Sequence, residues 1–183
     1  MTKITSSGIL LQSGEYYDYL APEKNVWTIE DVALGLSNIC RYGGQLDEYD
    51  WYSVAEHSVY VSYAIDPEFA MDGLLHDLVE FVMGDVPTPL KILLPDYKAL
   101  EKIHEAEAFK RFGLQYPMVD AVKLADKQVL CAEIDYLKPK SPHWNPLNDI
   151  VRYDGEIRCL PPCDAYDLFL NRYYGLINDR LVH

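Results

Sequence analysis

The sequence predicts an all-α domain that carries a small β-hairpin at its N-terminal end. Two observations lead to this fold class. Apolar residues recur with helical spacing from about residue 28 onward, and a short alternating stretch around a glycine turn precedes them. Because the sequence has no internal repeat and no low-complexity linker, we expect residues 1–183 to form a single domain.

The first elements have clear local signals. Ile9–Leu11 and Tyr16–Tyr17 flank a Ser-Gly turn, which predicts the hairpin. Thr28 precedes two acids and predicts the start of a helix that ends before Gly43. Ser53 is followed three residues later by Glu56, which predicts a capping box at the start of the next helix.

The later elements follow from periodicity and from breaking residues. The prolines of Asp85–Pro89 predict an ordered loop, and a cluster of prolines at 139–162 predicts an irregular segment. Further helices are predicted at about 67–82, 96–111, 118–137 and 164–180.

Composition excludes several classes of function. Hydrophobic residues make up 49% of the chain and charged residues 25%, as in globular domains. The 16 basic and 29 acidic residues give a net charge of −13, so we expect no binding to nucleic acid through the general field. The sequence has no apolar run of ~18 residues and no signal peptide, so we expect a cytoplasmic protein with reduced cysteines.

A group of ionisable residues lies inside an apolar stretch. His76, Asp77 and Glu80 are close enough in sequence to share one side of a helix, where three charged groups are costly without a common partner. A metal ion is the simplest such partner. The alternative is a salt-bridged helix end in which His76 and Glu80 form an ordinary i,i+4 pair.

Two residues on other predicted helices favour the metal. His57 lies on the preceding helix, and Asp126 is an acid within an otherwise apolar turn of the helix at 118–137. With His76 and Asp77 they form a four-ligand set of imidazole and carboxylate groups, which suits Zn²⁺, Mn²⁺, Co²⁺ or Fe²⁺.

This order, a His, then His-Asp, then a distant Asp, resembles the HD-domain metal-dependent phosphohydrolases. The resemblance extends over residues 25–137. In detail the chain is similar to the compact 5′-deoxynucleotidases, and residues 27–44 are similar to the phage branch that includes dATP triphosphohydrolases. The matching residues are Arg41, Glu56-His57-Ser58, His76-Asp77 with Glu80, Gly84-Asp85 with Pro87-Thr88-Pro89 and Lys91, and Lys123 with Ala125-Asp126.

The resemblance implies an HD-domain helical bundle and a role for each matched residue. Glu80 would orient or deprotonate the attacking water, and Asp85 would assist proton transfer. Arg41 and Lys91 would bind phosphate oxygens, although both are also interpretable as surface charges. The resemblance also implies a divalent transition metal, Zn²⁺, Co²⁺ or Mn²⁺, whose ligands would be His57, His76, Asp77 and Asp126. A second divalent ion such as Mg²⁺ could bind beside it.

The implied reaction is hydrolysis of the 5′ phosphoester of deoxynucleotides, with dATP converted to deoxyadenosine and triphosphate. The alternatives are a 5′-nucleotidase acting on deoxynucleoside monophosphates and a non-catalytic acidic binding protein. As partners we expect a small-molecule nucleotide and further copies of the chain in a homo-oligomer, and neither nucleic acid nor a membrane.

Trp27 and Ile29 are candidates for contact with the base. An indole can stack on a purine, and Ile29 beside it can crowd a ring substituent such as the 2-amino group of guanine. The alternative is that both residues form a hydrophobic staple at the start of the first long helix.

Overall fold

The computed structural model describes residues 7–46, 51–137 and 149–182. The first element is an antiparallel hairpin of β1 (Gly8–Leu10) and β2 (Tyr16–Asp18), in which Ile9 is the partner of Tyr17. The predicted hairpin is therefore confirmed. Gly14 in its turn has a φ of 88°, a conformation that glycine adopts without a steric penalty.

Helices make up most of the remaining described residues, which confirms the all-α class. None of these helices is long and apolar enough to cross a membrane, and none of the four cysteines, all within the described ranges, forms a disulfide. Residues 149–161 are irregular, and the rest of the predicted irregular segment lies outside the described residues. The helices are α1 (Ile29–Ser37), α2 (Val54–Tyr63), α3 (Ala70–Leu74), α4 (Glu80–Met83), α5 (Thr88–Lys91), α6 (Pro95–Phe112), α7 (Asp120–Leu137) and α8 (Pro162–Val182).

The predicted start of α1 and both predicted ends of α6 are confirmed, whereas α1 ends at Ser37, several residues before the end expected ahead of Gly43. The Thr28 hydroxyl accepts a hydrogen bond from the Asp31 amide, and the Asp31 carboxylate accepts one from the Thr28 amide. This reciprocal capping box satisfies two amide groups that the helix itself leaves unpaired. Gly113 ends α6 in the left-handed conformation that makes glycine common at this position.

The prediction of one helix over 67–82 is wrong. A short 3₁₀ turn at Pro67–Phe69 leads into α3, the chain then turns through residues 75–79, and α4 begins at Glu80. Hydrogen bonds in the turn connect residues three apart, such as the Glu80 amide with the Asp77 carbonyl at 3.0 Å. The apolar residues keep the same periodicity across this break, so the sequence pattern did not indicate the break.

The interpretation of Asp85–Pro89 as loop throughout is also wrong in part. Pro87 precedes α5, and Pro89 lies in the first turn of that helix. A proline is tolerated there because its missing N–H would have no partner inside the helix.

The capping box predicted for α2 is half formed. The Ser53 hydroxyl accepts a hydrogen bond from the Glu56 amide at 3.1 Å. The Glu56 carboxylate, however, accepts hydrogen bonds from the Tyr60 hydroxyl and from the amides of Arg158 and Leu160. Glu56 thus fixes the irregular segment before α8 against α2.

Two groups of buried apolar residues surround α2. The larger lies among α1, α3, α4 and α8, with Phe169 and Leu36 fully buried. At Gly35 the backbone of α1 approaches Phe81 so closely that an added Cβ would lie 2.7 Å from the Phe81 Cβ. The smaller group joins α2 to α7 through residues such as Val61 and Val129.

The capping box of α1 gives a test of the local energetics. Thr28→Ala removes the hydroxyl that accepts from the Asp31 amide, so we expect the free energy of unfolding to fall by ~1 kcal/mol. Urea denaturation followed by circular dichroism measures it. Thr28→Ser, which retains the hydroxyl, should stay close to the wild type; an equal loss in both variants would contradict the role of the cap.

Candidate metal centre

Two helices supply residues to a buried polar cluster. His57 lies in the first turns of α2 and is fully buried, and Asp126 projects from α7 toward it. The distance from His57 Nε2 to Asp126 Oδ1 is 3.2 Å. Glu133, two helical turns after Asp126, lies on the same side of α7 and contacts the other nitrogen of His57.

The break between α3 and α4 brings the His-Asp pair to the same place. His76 Nε2 is 3.1 Å from Asp77 Oδ2, and that carboxylate oxygen is 3.9 Å from His57 Nε2. His57, His76 and Asp126 each offer one ligand atom, and these atoms lie within 4.8 Å of one another. The structure therefore brings together all four residues that the sequence predicts as metal ligands.

The hydrogen bonds of the two imidazoles orient their Nε2 atoms toward the centre. His76 Nδ1 is 2.8 Å from the Gly73 carbonyl, which can only accept, so Nδ1 donates its proton there and Nε2 is the ring nitrogen that faces the centre. His57 Nδ1 is 2.5 Å from Glu133 Oε1. A carboxylate or carbonyl that fixes one imidazole nitrogen in this way is characteristic of metal-ligating histidines.

The same two Nε2 atoms form no hydrogen bond among the described residues, although each lies close to a carboxylate oxygen. Among the described residues, buried side-chain atoms without a hydrogen bond include Nε2 of His57, Nε2 of His76 and Oε2 of Glu80. Buried polar atoms are rarely left unpaired, because each costs ~1–3 kcal/mol. A divalent cation between two imidazoles and two carboxylates would satisfy the histidines, so the donor set fits Zn²⁺, Co²⁺ or Mn²⁺.

The electrostatics of His57 also favour a positive charge at this point. Burial and the nearby Arg41 lower the pKa of His57, but the carboxylates of Glu133 and Asp126 outweigh them and raise it to about 9. For Asp77, burial raises the pKa, while His76, His57 and Arg41 lower it well below its usual range.

Glu133 is a site residue that the sequence analysis missed. It is fully buried, and burial alone would raise its pKa; Arg41, His57 and hydrogen bonds instead hold it well below the usual range. The hydroxyls of Tyr42 and Tyr52 donate to its two oxygens. The available signal was an acid seven residues after Asp126, on the apolar side of α7.

Arg41 is a buried part of the cluster rather than a surface charge. Its side chain is 12% exposed, with NH2 3.3 Å from Glu133 and NH1 3.8 Å from Asp77. The next residue, Tyr42, has a φ of 59°, an uncommon left-handed conformation for a side chain of this size. This turn allows Arg41 and Tyr42 to reach the same carboxylate.

Glu80 and Asp85 are the two residues that the sequence predicts as candidates for proton transfer, and both interact with the charge of Asp77. Glu80 is buried at the start of α4, and burial, Asp77 and Asp85 raise its pKa well above the usual range. Burial also raises the pKa of Asp85, an effect that Arg41 opposes. Both carboxyl groups therefore hold a proton more firmly than an exposed acid does.

Lys91 and α6 border the site beyond Glu80. The Lys91 ammonium is half-buried and lies 2.7 Å from Glu101, and its charge interacts with Glu80 and Asp77. One turn after Glu101, burial and the charges of Glu101 and Asp77 raise the pKa of Glu105 to about 7. The sequence pattern gave no sign that α6 carries acids near the site.

The structure places Trp27 and Ile29 in the hydrophobic core. Trp27 is 5% exposed, packs against Phe81 and Phe112, and has the Arg111 guanidinium 4.2 Å from its ring centre. Ile29 is partly buried against the same core. Trp27 borders a cavity of about 290 Å³ together with residues of α6. These contacts favour the apolar interpretation of the pair, and contact with a base stays a prediction.

Fold and site together define a helical protein with a buried His/Asp group that could hold a metal ion. No model of a known protein family matches the chain. It is similar to the Escherichia coli K12 protein described as uncharacterized protein YfdR, with 36% identity over 166 residues, covering 90% of this chain and 92% of YfdR. An uncharacterized protein of Rhodobacter capsulatus is 36% identical over 126 residues, covering 62% of this chain and 64% of that protein. The chain belongs to the family of YfdR.

The raised pKa of Glu105 gives a pH prediction. Since its pKa rises from 4.5 to about 7 on folding, its ionisation destabilises the metal-free fold as the pH rises through that interval. Glu105→Gln should therefore increase the free energy of unfolding at pH 8, by on the order of 1 kcal/mol, relative to its effect at pH 4.5. Denaturation of chelator-treated protein at both pH values measures this. Glu68→Gln, at an exposed position, is the control, and an equal pH dependence in both variants would contradict the assignment.

Proposed function

We propose that the protein is an HD-class metal-dependent phosphohydrolase that cleaves the 5′ phosphoester of deoxynucleotides. The observation that supports this best is the pair of imidazole nitrogens, Nε2 of His57 and of His76, that form no hydrogen bond among the described residues and lie beside the carboxylates of Asp126 and Asp77. Four such ligands in a buried site would hold one transition-metal ion. When bound, that ion would lower the pKa of water and polarise a phosphoryl oxygen.

The cationic side chains support an anionic substrate. Arg41 lies against Asp77, and its Nε atom is buried without a hydrogen-bond partner among the described residues. A phosphate oxygen would accept from it. Lys91, on α5, would bind a more distant phosphate after exchanging its contact with Glu101.

The carboxyl groups supply the proton transfers. With a divalent cation in the site to lower its raised pKa, Glu80, whose Oε2 has no hydrogen-bond partner among the described residues, would accept the proton of the attacking water. The bond from the water oxygen to the α-phosphorus forms while the bond to the 5′-oxygen breaks. Asp85, whose pKa is raised by burial, donates a proton to the departing 5′-oxygen. The products are the nucleoside and the phosphate or triphosphate group.

We propose dATP as the substrate within this class. The proposal follows from the similarity of residues 27–44 to the phage dATP triphosphohydrolases and from Ile29, a bulky residue near the start of α1 that would exclude a 2-amino group. The homo-oligomer and the cytoplasmic location inferred from the sequence also remain predictions.

A substrate panel tests the function. Purified protein with Co²⁺, Mn²⁺, Zn²⁺ or Mg²⁺ should release triphosphate and deoxyadenosine from dATP faster than from dGTP, pyrimidine deoxynucleotides or ribonucleotides. Chromatography of the nucleoside product measures it. An unpaired amino group costs ~1–3 kcal/mol, so the preference for dATP over dGTP should be roughly 5- to 150-fold, and Ile29→Ala should reduce it.

The panel also distinguishes the other candidates. Faster release of phosphate from deoxynucleoside monophosphates would favour the nucleotidase. Metal binding at the four residues with no turnover of any nucleotide would favour a non-catalytic binding protein and would contradict our proposal. Triphosphate release that is unchanged in Asp77→Ala would place the chemistry elsewhere.

The role of Glu80 gives a kinetic prediction. Glu80→Gln has nearly the same shape but cannot accept the proton, so kcat should fall by ~10²–10⁴-fold while the protein still binds one metal ion. Turnover of dATP and elemental analysis measure the two quantities. Glu68→Gln, at an exposed position outside the cluster, is the control and should keep the wild-type kcat. A wild-type kcat in Glu80→Gln would remove Glu80 from the mechanism.

A further inference from the structure

Glu133 is a buried charged residue that has no role in the proposed proton transfers and is not one of the predicted metal ligands. It is fully buried in α7, where a carboxylate is costly unless every lone pair is used. Four side chains, one imidazole, two phenols and one guanidinium, converge on it. They are His57, Tyr52, Tyr42 and Arg41.

The partners are divided between the two oxygens of the carboxylate. Oε1 lies 2.5 Å from His57 Nδ1 and accepts from the Tyr52 hydroxyl at 2.8 Å. Oε2 accepts from the Tyr42 hydroxyl at 2.5 Å and from Arg41 NH2 at 3.3 Å. One side of the group thus contacts a predicted metal ligand, and the other contacts the predicted phosphate-binding cation.

We propose that Glu133 is a positioning residue that couples the metal ligand His57 to the anion-binding residue Arg41. Oε1 fixes the imidazole so that Nε2 faces the centre and increases its strength as a ligand. Oε2 holds the guanidinium beside Asp77. The two phenols fix the carboxylate itself. This inference rests on the proposed function for the existence of the metal centre.

The competing explanation is a purely structural buried network that joins α7 to α2. Such a network would affect the stability of the fold, whereas a positioning role affects metal affinity in protein that is still folded. The free energy of Co²⁺ binding separates the two explanations and does not depend on catalytic turnover.

The experiment compares two substitutions in the full-length chain. Glu133→Gln conserves shape and removes the charge, and Glu133→Asp conserves the charge and withdraws the oxygens by one methylene. After chelator treatment, Co²⁺ is titrated and its visible absorption recorded. We expect each folded variant to bind Co²⁺ ~10–100-fold more weakly than the wild type, with a changed spectrum.

Asp135→Asn is the matched control on the same helix. Asp135 is exposed and forms an ion pair with Arg152, so its substitution removes one charge from α7 without contact with the cluster. We expect Co²⁺ affinity within about twofold of the wild type, since an exposed ion pair contributes little.

The second arm tests the connection to Arg41. At saturating Co²⁺, inorganic triphosphate should bind Glu133→Gln at least about threefold more weakly than the wild type, and Arg41→Lys should weaken it less in that background than alone. Additive effects of the two substitutions would overturn the coupling.

Wild-type Co²⁺ affinity and spectrum in the folded Glu133 variants would overturn the positioning role. If Glu133→Gln fails to fold, Glu133→Asp gives the same decision. A wild-type protein that binds Co²⁺ and hydrolyses no nucleotide, with weakened Co²⁺ binding in the Glu133 variants, would refute the proposed function and support the role of Glu133.

Discussion

Burial of charge is the constraint on which the rest of this structure depends. Carboxylates and imidazoles meet between α2, the turn at 75–79 and α7, and most of them have little access to water. Because an isolated buried charge costs several kcal/mol, each must face a group of opposite charge or a hydrogen-bond donor. Glu133 does so with protein groups alone. The Nε2 atoms of His57 and His76 lie close to the carboxylates of Asp126 and Asp77 but form no hydrogen bond among the described residues, which marks them as the side of the site where a cation could bind.

The break between α3 and α4 brings buried charged groups close to one another. In one continuous helix, neighbouring residues point about 100° apart, so His76 and Asp77 could lean toward a shared point but not face it together. In the observed turn, the carboxylate of Asp77 is 3.1 Å from His76 and 3.9 Å from His57, and Glu80 begins a new helix on the far side of the centre. The local hydrogen bonds of the turn connect residues three apart and replace those that the broken helix loses.

Much of the fold could be predicted because its signals are local. The Thr28 cap, the Gly113 terminus and the hairpin around Gly14 depend on a few adjacent residues, and each is observed. The break within 67–82 could not be predicted, because the same apolar residues would be buried in one continuous helix and in the observed broken one. Glu56 shows the same limit: its spacing from Ser53 fits a capping box, but distant amides of residues 158 and 160 compete for its carboxylate and are better placed.

The candidate site shows a similar division. The residues of the His-Asp pattern, His57, His76, Asp77 and Asp126, were found from their order and their apolar setting. Glu133 and the acids of α6 were missed because an acid on a long amphipathic helix usually faces water, and only tertiary packing decides otherwise.

The charge balance of the site also sets an order of binding. Asp77 and Glu133 already face Arg41, and Glu101 already faces Lys91, so both cationic side chains are neutralised by protein carboxylates. Even with Glu80 and Asp85 protonated, the field at the centre would repel a phosphate, and the net charge of −13 adds to that repulsion at long range. A divalent cation reverses the local sign. In the proposed function, the metal ion would therefore bind before the nucleotide, because the buried acids of the metal-free site disfavour an anion there.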